Sequence, residues 1–167
     1  MLVLTTALLT SLILATSSRA AHKPRHSHRF LIAQRVNRGL RGTPLAHLGF
    51  VFEAAGWRYR LSPFFLAGAS DTESSLGTAA CQANPKNIWG LGSCDRAWRV
   101  PYFETWPEAL GYYARFVRLH WPRARTVYEL YGYCGCGAQS WGATTFGSMA
   151  QLFGDQSGSL GYPGTPA

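Results

Sequence analysis

Residues 62–77 read SPFFLAGASDTESSLG and carry the signals of a short, mostly apolar helix. Ser62 followed by Pro63 is typical of a helix start, because the serine hydroxyl caps the first N–H groups and proline fits the first turn. Gly77 is typical of the position just beyond a helix C-terminus. The stretch therefore predicts a helix from Pro63 to about Leu76.

Glu73 lies on the apolar stripe of this helix, at helical spacing from Leu66, Ala69 and Leu76. Loss of water at such a position raises the pKa of a carboxyl group, as a proton donor near neutral pH requires. The alternative is a structural acid near the helix C-terminus, where the helix dipole disfavours negative charge. We therefore take Glu73 as the candidate catalytic acid.

Similar start and stop signals predict helices on both sides of this stretch. The predicted helices cover 43–59, 105–119, 126–131 and 143–153. The first of them starts at Thr43-Pro44, and the second starts with a capping box of Thr105 and Glu108. A loop over 78–103 is rich in Gly, Asn and Trp. These elements predict one mainly helical domain over 43–154 with a long loop beside a cleft.

Basic residues concentrate ahead of this domain. Six of the 16 Lys and Arg residues lie between His22 and Gly42 without any acid, whereas nine basic and eight acidic residues follow from Thr43 onward. We therefore predict a basic arm or linker over 21–42 that contacts an anionic wall polymer or a membrane surface. The Gly-, Ser- and Pro-rich tail over 155–167 is predicted to be disordered.

The N-terminal residues 1–20 resemble an export signal. Residues 2–15 form an apolar run too short to span a bilayer comfortably, and Ser18-Arg19-Ala20 offers a cleavage site. No basic residue precedes the run, so a signal anchor formed by residues 2–16 is the alternative. We therefore predict a secreted, cell-wall or periplasmic protein, which the alternative would leave anchored to the membrane by residues 2–16.

Four cysteines follow, and their spacing lacks the paired CxxC motifs of a zinc site. In an exported protein they are expected to form disulfides. We favour Cys81 with Cys94, which closes a short loop. Cys134 with Cys136 would form a strained ring, so a pairing of both with the first two remains open.

The long loop and the helix starts supply candidate sugar-binding residues. Flat rings such as those of Trp89 and Trp106 suit stacking on sugars, and Asn87 is suited to bonding hydroxyl or acetamido groups. Core packing is the more common fate of any single aromatic residue. The chain contains no Gly-rich phosphate loop, HExxH or GxSxG motif, so we predict no metal and no cofactor.

Several segments in colinear order resemble one known family. They are SPFFLAGA at 62–69, ESSLG at 73–77, NPKNIWG at 84–90, FETWPEAL at 103–110 and Tyr131. This order is similar to the bacterial glucosaminidase family, the mannosyl-glycoprotein endo-β-N-acetylglucosaminidase-like domain of autolysins. The resemblance covers about residues 43–154.

The resemblance implies a lysozyme-like, mainly helical α+β fold and an enzyme that cleaves peptidoglycan glycan strands after N-acetylglucosamine. Separately, we expect the protein to be a monomer. Glu73 would be the general acid, and Tyr131 would assist. In typical members a longer β lobe supplies the second catalytic acid, and the corresponding interval here, 91–102, is short. The identity of the second acid is therefore open, with Asp95 inside the interval and Glu104 just after it as candidates. The alternatives are a single-acid lytic transglycosylase and a glycan-binding module without turnover; specific nucleic-acid binding is not expected.

Overall fold

The computed structural model describes residues 27–92, 100–130 and 138–165. These residues form five α-helices and one 3-10 helix: α1 His28–Gly39, α2 Gly49–Tyr59, α3 Pro63–Ser74, α4 Trp106–His120, the 3-10 helix Val127–Glu129 and α5 Ala138–Phe153. Extended pairing in the described part is limited to two isolated bridges, Leu61 with Gly161 and Thr126 with Ser159. The prediction of a mainly helical domain is confirmed.

The central helix α3 forms where its signals place it. The Phe65 N–H donates to the Ser62 hydroxyl at 3.4 Å, and Pro63 occupies the first turn. Residues 63–70 are all buried, because α3 packs against α1, α2 and α5. The helix ends at Ser74, two residues before the predicted end, because Ser75 and Leu76 already have left-handed backbone angles.

Close packing of α3 on α5 depends on a missing side chain at Gly68. A Cβ there would lie 2.9 Å from Met149 Cγ and 3.2 Å from the Thr145 carbonyl oxygen. Two side-chain hydrogen bonds cross the same interface: Thr72 with Thr145 at 3.0 Å between hydroxyls, and Ser148 to the Asp71 carboxylate at 2.7 Å. This interface positions residues of α5 beside the end of α3.

The predicted basic linker over 21–42 is wrong from His28 onward. Residues 28–39 form α1, whose Ile32, Ala33 and Val36 are buried in the core together with Leu40. Their spacing forms one apolar helical face, while the arginines occupy the other positions. The folded domain therefore begins before residue 43, at α1.

The predicted disordered tail is also wrong over 155–165. Leu160 and Tyr162 are buried, and the Leu160 N–H donates to the Arg125 carbonyl at 2.7 Å. The Ser62 N–H in turn donates to the Leu160 carbonyl at 2.8 Å. The C-terminal segment thus pairs with the loop ahead of the 3-10 helix and with the start of α3.

The other helix predictions differ from the structure mainly at their ends. α2 begins at Gly49 rather than at Thr43-Pro44, since residues 43–48 form successive turns. The Thr105 cap of α4 is confirmed, with the Glu108 N–H donating to its hydroxyl at 3.4 Å. α5 begins at Ala138, five residues earlier than expected. No described helix has the length and apolarity needed to cross a membrane, and residues 1–20 lie outside the described ranges.

Candidate active site

Glu73 lies in the last turn of α3 with its side chain half-buried. The indole N–H of Trp141, on α5, donates to Glu73 Oε1 at 2.5 Å. Burial raises the pKa of Glu73 above its ordinary value of 4.5, and the Trp141 hydrogen bond opposes that rise more weakly. Within the described ranges no cation pairs with this carboxyl group. The site therefore favours the protonated acid.

The second carboxyl oxygen faces the backbone of the long loop at Gly90. A Cβ built on Gly90 would lie 3.0 Å from Glu73 Oε2, which leaves no ordinary van der Waals space for it. Gly90 also has a φ of +62°, in the left-handed region that favours glycine. Glycine at this position thus lets the loop approach the carboxyl group closely.

Two side chains hold this loop against the end of α3. The Ser74 hydroxyl, next to Glu73 in the chain, lies 2.8 Å from the Ile88 carbonyl oxygen and 3.0 Å from that of Ser70. Asn87 closes the loop: its amide donates to the Leu91 carbonyl at 2.7 Å and accepts from the Leu91 N–H at 3.2 Å. Asn87 is buried, so its polar atoms hold the loop in place rather than face solvent.

Trp89 also serves the core in this structure. Its side chain is 1% exposed, and its ring stacks on Tyr113 of α4 with centroids 4.7 Å apart. Its indole N–H donates to the Leu66 carbonyl of α3 at 2.9 Å. Trp89 therefore presents no open face to a sugar. Its packing between α3 and α4 anchors the loop directly ahead of Gly90.

Trp106 and Asn84 connect the loop to α4. Trp106 is the first residue of α4 and is half-buried against the core. The Asn84 amide donates to the Pro101 carbonyl at 2.8 Å and accepts from the Phe103 N–H at 3.3 Å. Of the three predicted sugar-binding residues, only Trp106 keeps a substantially exposed surface.

Trp141 is a site residue that the sequence did not predict, because it lies before the predicted start of the last helix. Its position depends on close packing at its neighbour Gly142, where a Cβ would lie 3.1 Å from Tyr128 Cδ1 and 3.2 Å from the Val127 carbonyl oxygen. The early start of α5 and this contact with the 3-10 helix bring the indole to Glu73. The local signal was the Trp-Gly pair within an otherwise unassigned segment.

Three predicted site residues, Asp95, Tyr131 and Cys94, lie outside the described residues. Cys81 is disulfide-bonded, but Cys94, Cys134 and Cys136 are all outside the described ranges, so the pairing stays a prediction. Glu104 is exposed just ahead of α4. The described ranges contain no group of three or more His, Cys, Asp or Glu side chains able to hold a metal ion.

Glu53, on α2, is the more deeply buried glutamate, at 5% exposed. Arg29 of α1 donates to both of its oxygens, at 2.5 Å and 3.0 Å, and the Tyr162 hydroxyl donates to Oε1 at 2.7 Å. Burial and the bond to Glu53 raise the pKa of the Tyr162 hydroxyl, which keeps it a donor. Glu53 thus joins α1, α2 and the C-terminal segment, and both of its oxygens are engaged by these partners.

The chain matches no protein-family model and no curated protein. The glucosaminidase resemblance therefore has no support from these comparisons, and a functional assignment depends on the residues around Glu73.

Proposed function

We propose that this protein is a glycoside hydrolase in which Glu73 is the general acid. The observation that carries the proposal is the half-buried Glu73 carboxyl group, which has an indole donor, a glycine backbone and no cation around it in the described part of the chain. A carboxyl group whose pKa is raised by burial is what proton donation to a glycosidic oxygen requires.

Within that class, we propose the glycan strand of peptidoglycan as substrate and the bond after N-acetylglucosamine as the bond cleaved. The support is the colinear resemblance over 62–131 together with the mainly helical architecture, which suits a lysozyme-like domain with a reduced β lobe. The predicted location, outside the cytoplasm, belongs to the same proposal.

In the proposed reaction Glu73 transfers its proton to the glycosidic oxygen while the C1–O bond breaks and an oxocarbenium-like state develops. The Trp141 N–H, already bonded to Oε1, stabilises the carboxylate that this transfer leaves behind. Water then adds to C1. Its proton goes to a second group, for which Asp95, Glu104 and Tyr131 are the candidates, or the substrate's own acetamido group assists.

Glu73→Gln tests the assignment because it keeps the size of the side chain and an oxygen for Trp141 but cannot donate the proton. We expect release of soluble fragments from purified peptidoglycan to fall about 10²–10⁴-fold. Glu53→Gln is the matched control, a buried glutamate bonded to other partners, and should retain turnover at a temperature where it is folded. Equal activity of wild type and Glu73→Gln would overturn the proposal.

The chemistry of the fragments separates the alternatives. A hydrolase leaves reducing N-acetylglucosamine ends, whereas a lytic transglycosylase leaves anhydro-muramyl ends, and mass spectrometry distinguishes the two. Asp95→Asn and Glu104→Gln are tested in the same assay to identify the second acid. The second acid is the residue whose variant loses nearly as much activity as Glu73→Gln does. A wild type that binds glycan and releases no fragment would be a binding module.

A further inference from the structure

A concave surface lies among α2, α4 and the C-terminal segment. We call it the arginine groove: a cavity of about 1120 Å³ whose described lining includes Arg58, Arg60, Arg118, Arg123 and Arg125 and no acidic residue. None of the residues around Glu73 described above lines it. The groove therefore forms a site separate from the candidate active site.

Two of these arginines have identifiable structural roles. Arg118, half-buried on α4, donates from Nε to the Tyr59 carbonyl at 3.0 Å and from a terminal nitrogen to the Arg60 carbonyl. Burial and the nearby charge of Arg60 lower the pKa of Arg118. Arg60 ends α2 in a left-handed conformation, with φ of 54°. Together they hold the end of α2 against α4 and form the floor of the groove.

The other three guanidinium groups form no ion pair with an acid among the described residues. Arg58, Arg123 and Arg125 are exposed, and the one ion pair within the described residues is Arg29 with Glu53. Glu129 lies next to Arg125, and its carboxylate accepts from the Arg125 backbone N–H at 3.2 Å and from the Thr126 hydroxyl at 2.9 Å. These bonds, with a smaller contribution from the Arg125 charge, lower the pKa of Glu129. Like charges gathered in a concavity repel each other, and an anionic ligand relieves that repulsion.

The described lining of the groove contains three aromatic rings, of which Trp57 is exposed, at 49%. The Arg29 guanidinium lies 4.8 Å from the ring centroid of Trp57, and that of Arg58 lies 5.6 Å from the centroid of Tyr59. Tyr162 is 3% exposed, and its hydroxyl binds Glu53. Nucleic-acid grooves combine positive charge with open rings on which bases stack. This groove offers five arginines and a single exposed ring, Trp57, in its described lining, so charge rather than a row of stacking faces dominates it.

From this combination we propose that the arginine groove binds a flexible phosphodiester polymer that carries no bases, of the polyol-phosphate type. Arginine forks match phosphate oxygens bidentately, and a concave lining suits a strand better than the flat surface of a membrane. The proposal concerns binding alone and stands or falls independently of catalysis at Glu73.

The test measures binding of fluorescent poly(glycerol phosphate) to the full chain by anisotropy across a salt series. We expect the variant Arg58→Ala/Arg123→Ala/Arg125→Ala to lose about 10-fold or more in affinity. The slope of log affinity against log salt should become shallower by about 2, at roughly 0.7 for each lost phosphate contact on a single strand. Arg60 and Arg118 stay in place because they support the backbone.

The matched control is Arg38→Ala/Arg41→Ala/Arg115→Ala, which removes the same charge from exposed positions outside the groove. It should leave affinity and slope close to those of wild type. Equal losses in the two triple variants would mean diffuse attraction to net charge and would overturn the site. Circular dichroism verifies that both triple variants are folded.

Two further probes decide the ligand class. An oligothymidylate with the same number of phosphates adds bases, and tighter binding of it than of the base-free chain would overturn the proposal in favour of nucleic acid. Vesicles of phosphatidylglycerol and phosphatidylcholine present phosphates on a flat surface. Stronger groove-dependent binding to vesicles than to the soluble chain would likewise overturn it.

Discussion

Glu53 on α2 is buried and Glu73 on α3 is half-buried, but among the described residues only Glu53 is paired with a cation. Arg29 and the Tyr162 hydroxyl occupy the oxygens of Glu53, whereas Glu73 receives one indole N–H in the described part of the chain. Pairing with a cation favours the charged form of a carboxyl group, whereas burial without a cation raises its pKa and favours the protonated form. The contrast separates a structural glutamate from a candidate catalytic one.

The largest effect on stability is expected for Glu53→Gln. The change removes the charge that binds Arg29 and weakens the bond from Tyr162, so the free energy of unfolding should fall by about 2 kcal/mol, as for hydrogen bonds to charged groups. Partial exposure of Arg29, at 45%, keeps the loss below that of a fully buried pair. Urea unfolding at pH 7 measures it, and a loss within error of zero would remove Glu53 from its structural role.

Glu73→Gln should act in the opposite direction on stability. The folded-state pKa of Glu73 is raised, so its ionisation costs stability once the pH exceeds the unfolded value of about 4.5. Removal of the charge should therefore raise the free energy of unfolding at pH 7, and the gain should vanish below pH 4, where both states are protonated. A variant less stable than wild type at pH 7 would contradict the assignment of an unpaired carboxyl group.

Gly90→Ala tests the close approach of the loop to Glu73. The left-handed φ at Gly90 costs alanine about 1 kcal/mol, and the new Cβ crowds Oε2, so we expect roughly a tenfold loss of activity as well. Gly42→Ala is the matched control: its φ is +75°, and a Cβ there meets nothing within 4 Å. We expect Gly90→Ala and Gly42→Ala to lose similar stability. Only Gly90→Ala should also lose activity.

Trp141→Phe should produce the smallest effect, a shift in pH dependence. The indole hydrogen bond lowers the pKa of Glu73, so its removal should raise that pKa further. Because the proposed reaction needs the protonated form of Glu73, the alkaline limb of the pH–rate profile should move to higher pH. Trp57→Phe, which alters an indole distant in sequence and lining the arginine groove, should leave the limb in place. A limb that stays fixed in Trp141→Phe would show that the indole does not act on the acid.

Local signals account for the parts of the fold that the sequence predicted. Ser62-Pro63 and Thr105 with Glu108 mark helix starts because a cap satisfies N–H groups within its own turn, and both caps form. The arginine content of residues 28–39 predicts a linker where α1 forms, because it masks the helical spacing of Ile32, Val36 and Leu40. The burial of Leu160 and Tyr162 cannot be predicted from the neighbouring sequence, because it depends on contacts with residues far away in the chain.

The candidate site divides in the same way. Glu73 was predicted from its place on an apolar helical stripe, which its own helix determines. Its donor Trp141 is 68 residues away in sequence, and the α3–α5 interface brings the two together. The buried positions of Asn87 and Trp89 also depend on α3 and α4, so residue type alone suggested sugar contacts where the fold uses them as loop anchors.

A direct titration of the two carboxyl groups tests the contrast between them. Carbon NMR of protein labelled at glutamate Cδ, with resonances assigned through Glu73→Gln and Glu53→Gln, follows each group as the pH changes. The account predicts that the Glu73 resonance titrates with a midpoint above 4.5 and that Trp141→Phe moves this midpoint upward. A Glu73 midpoint at or below 4.5 would contradict it.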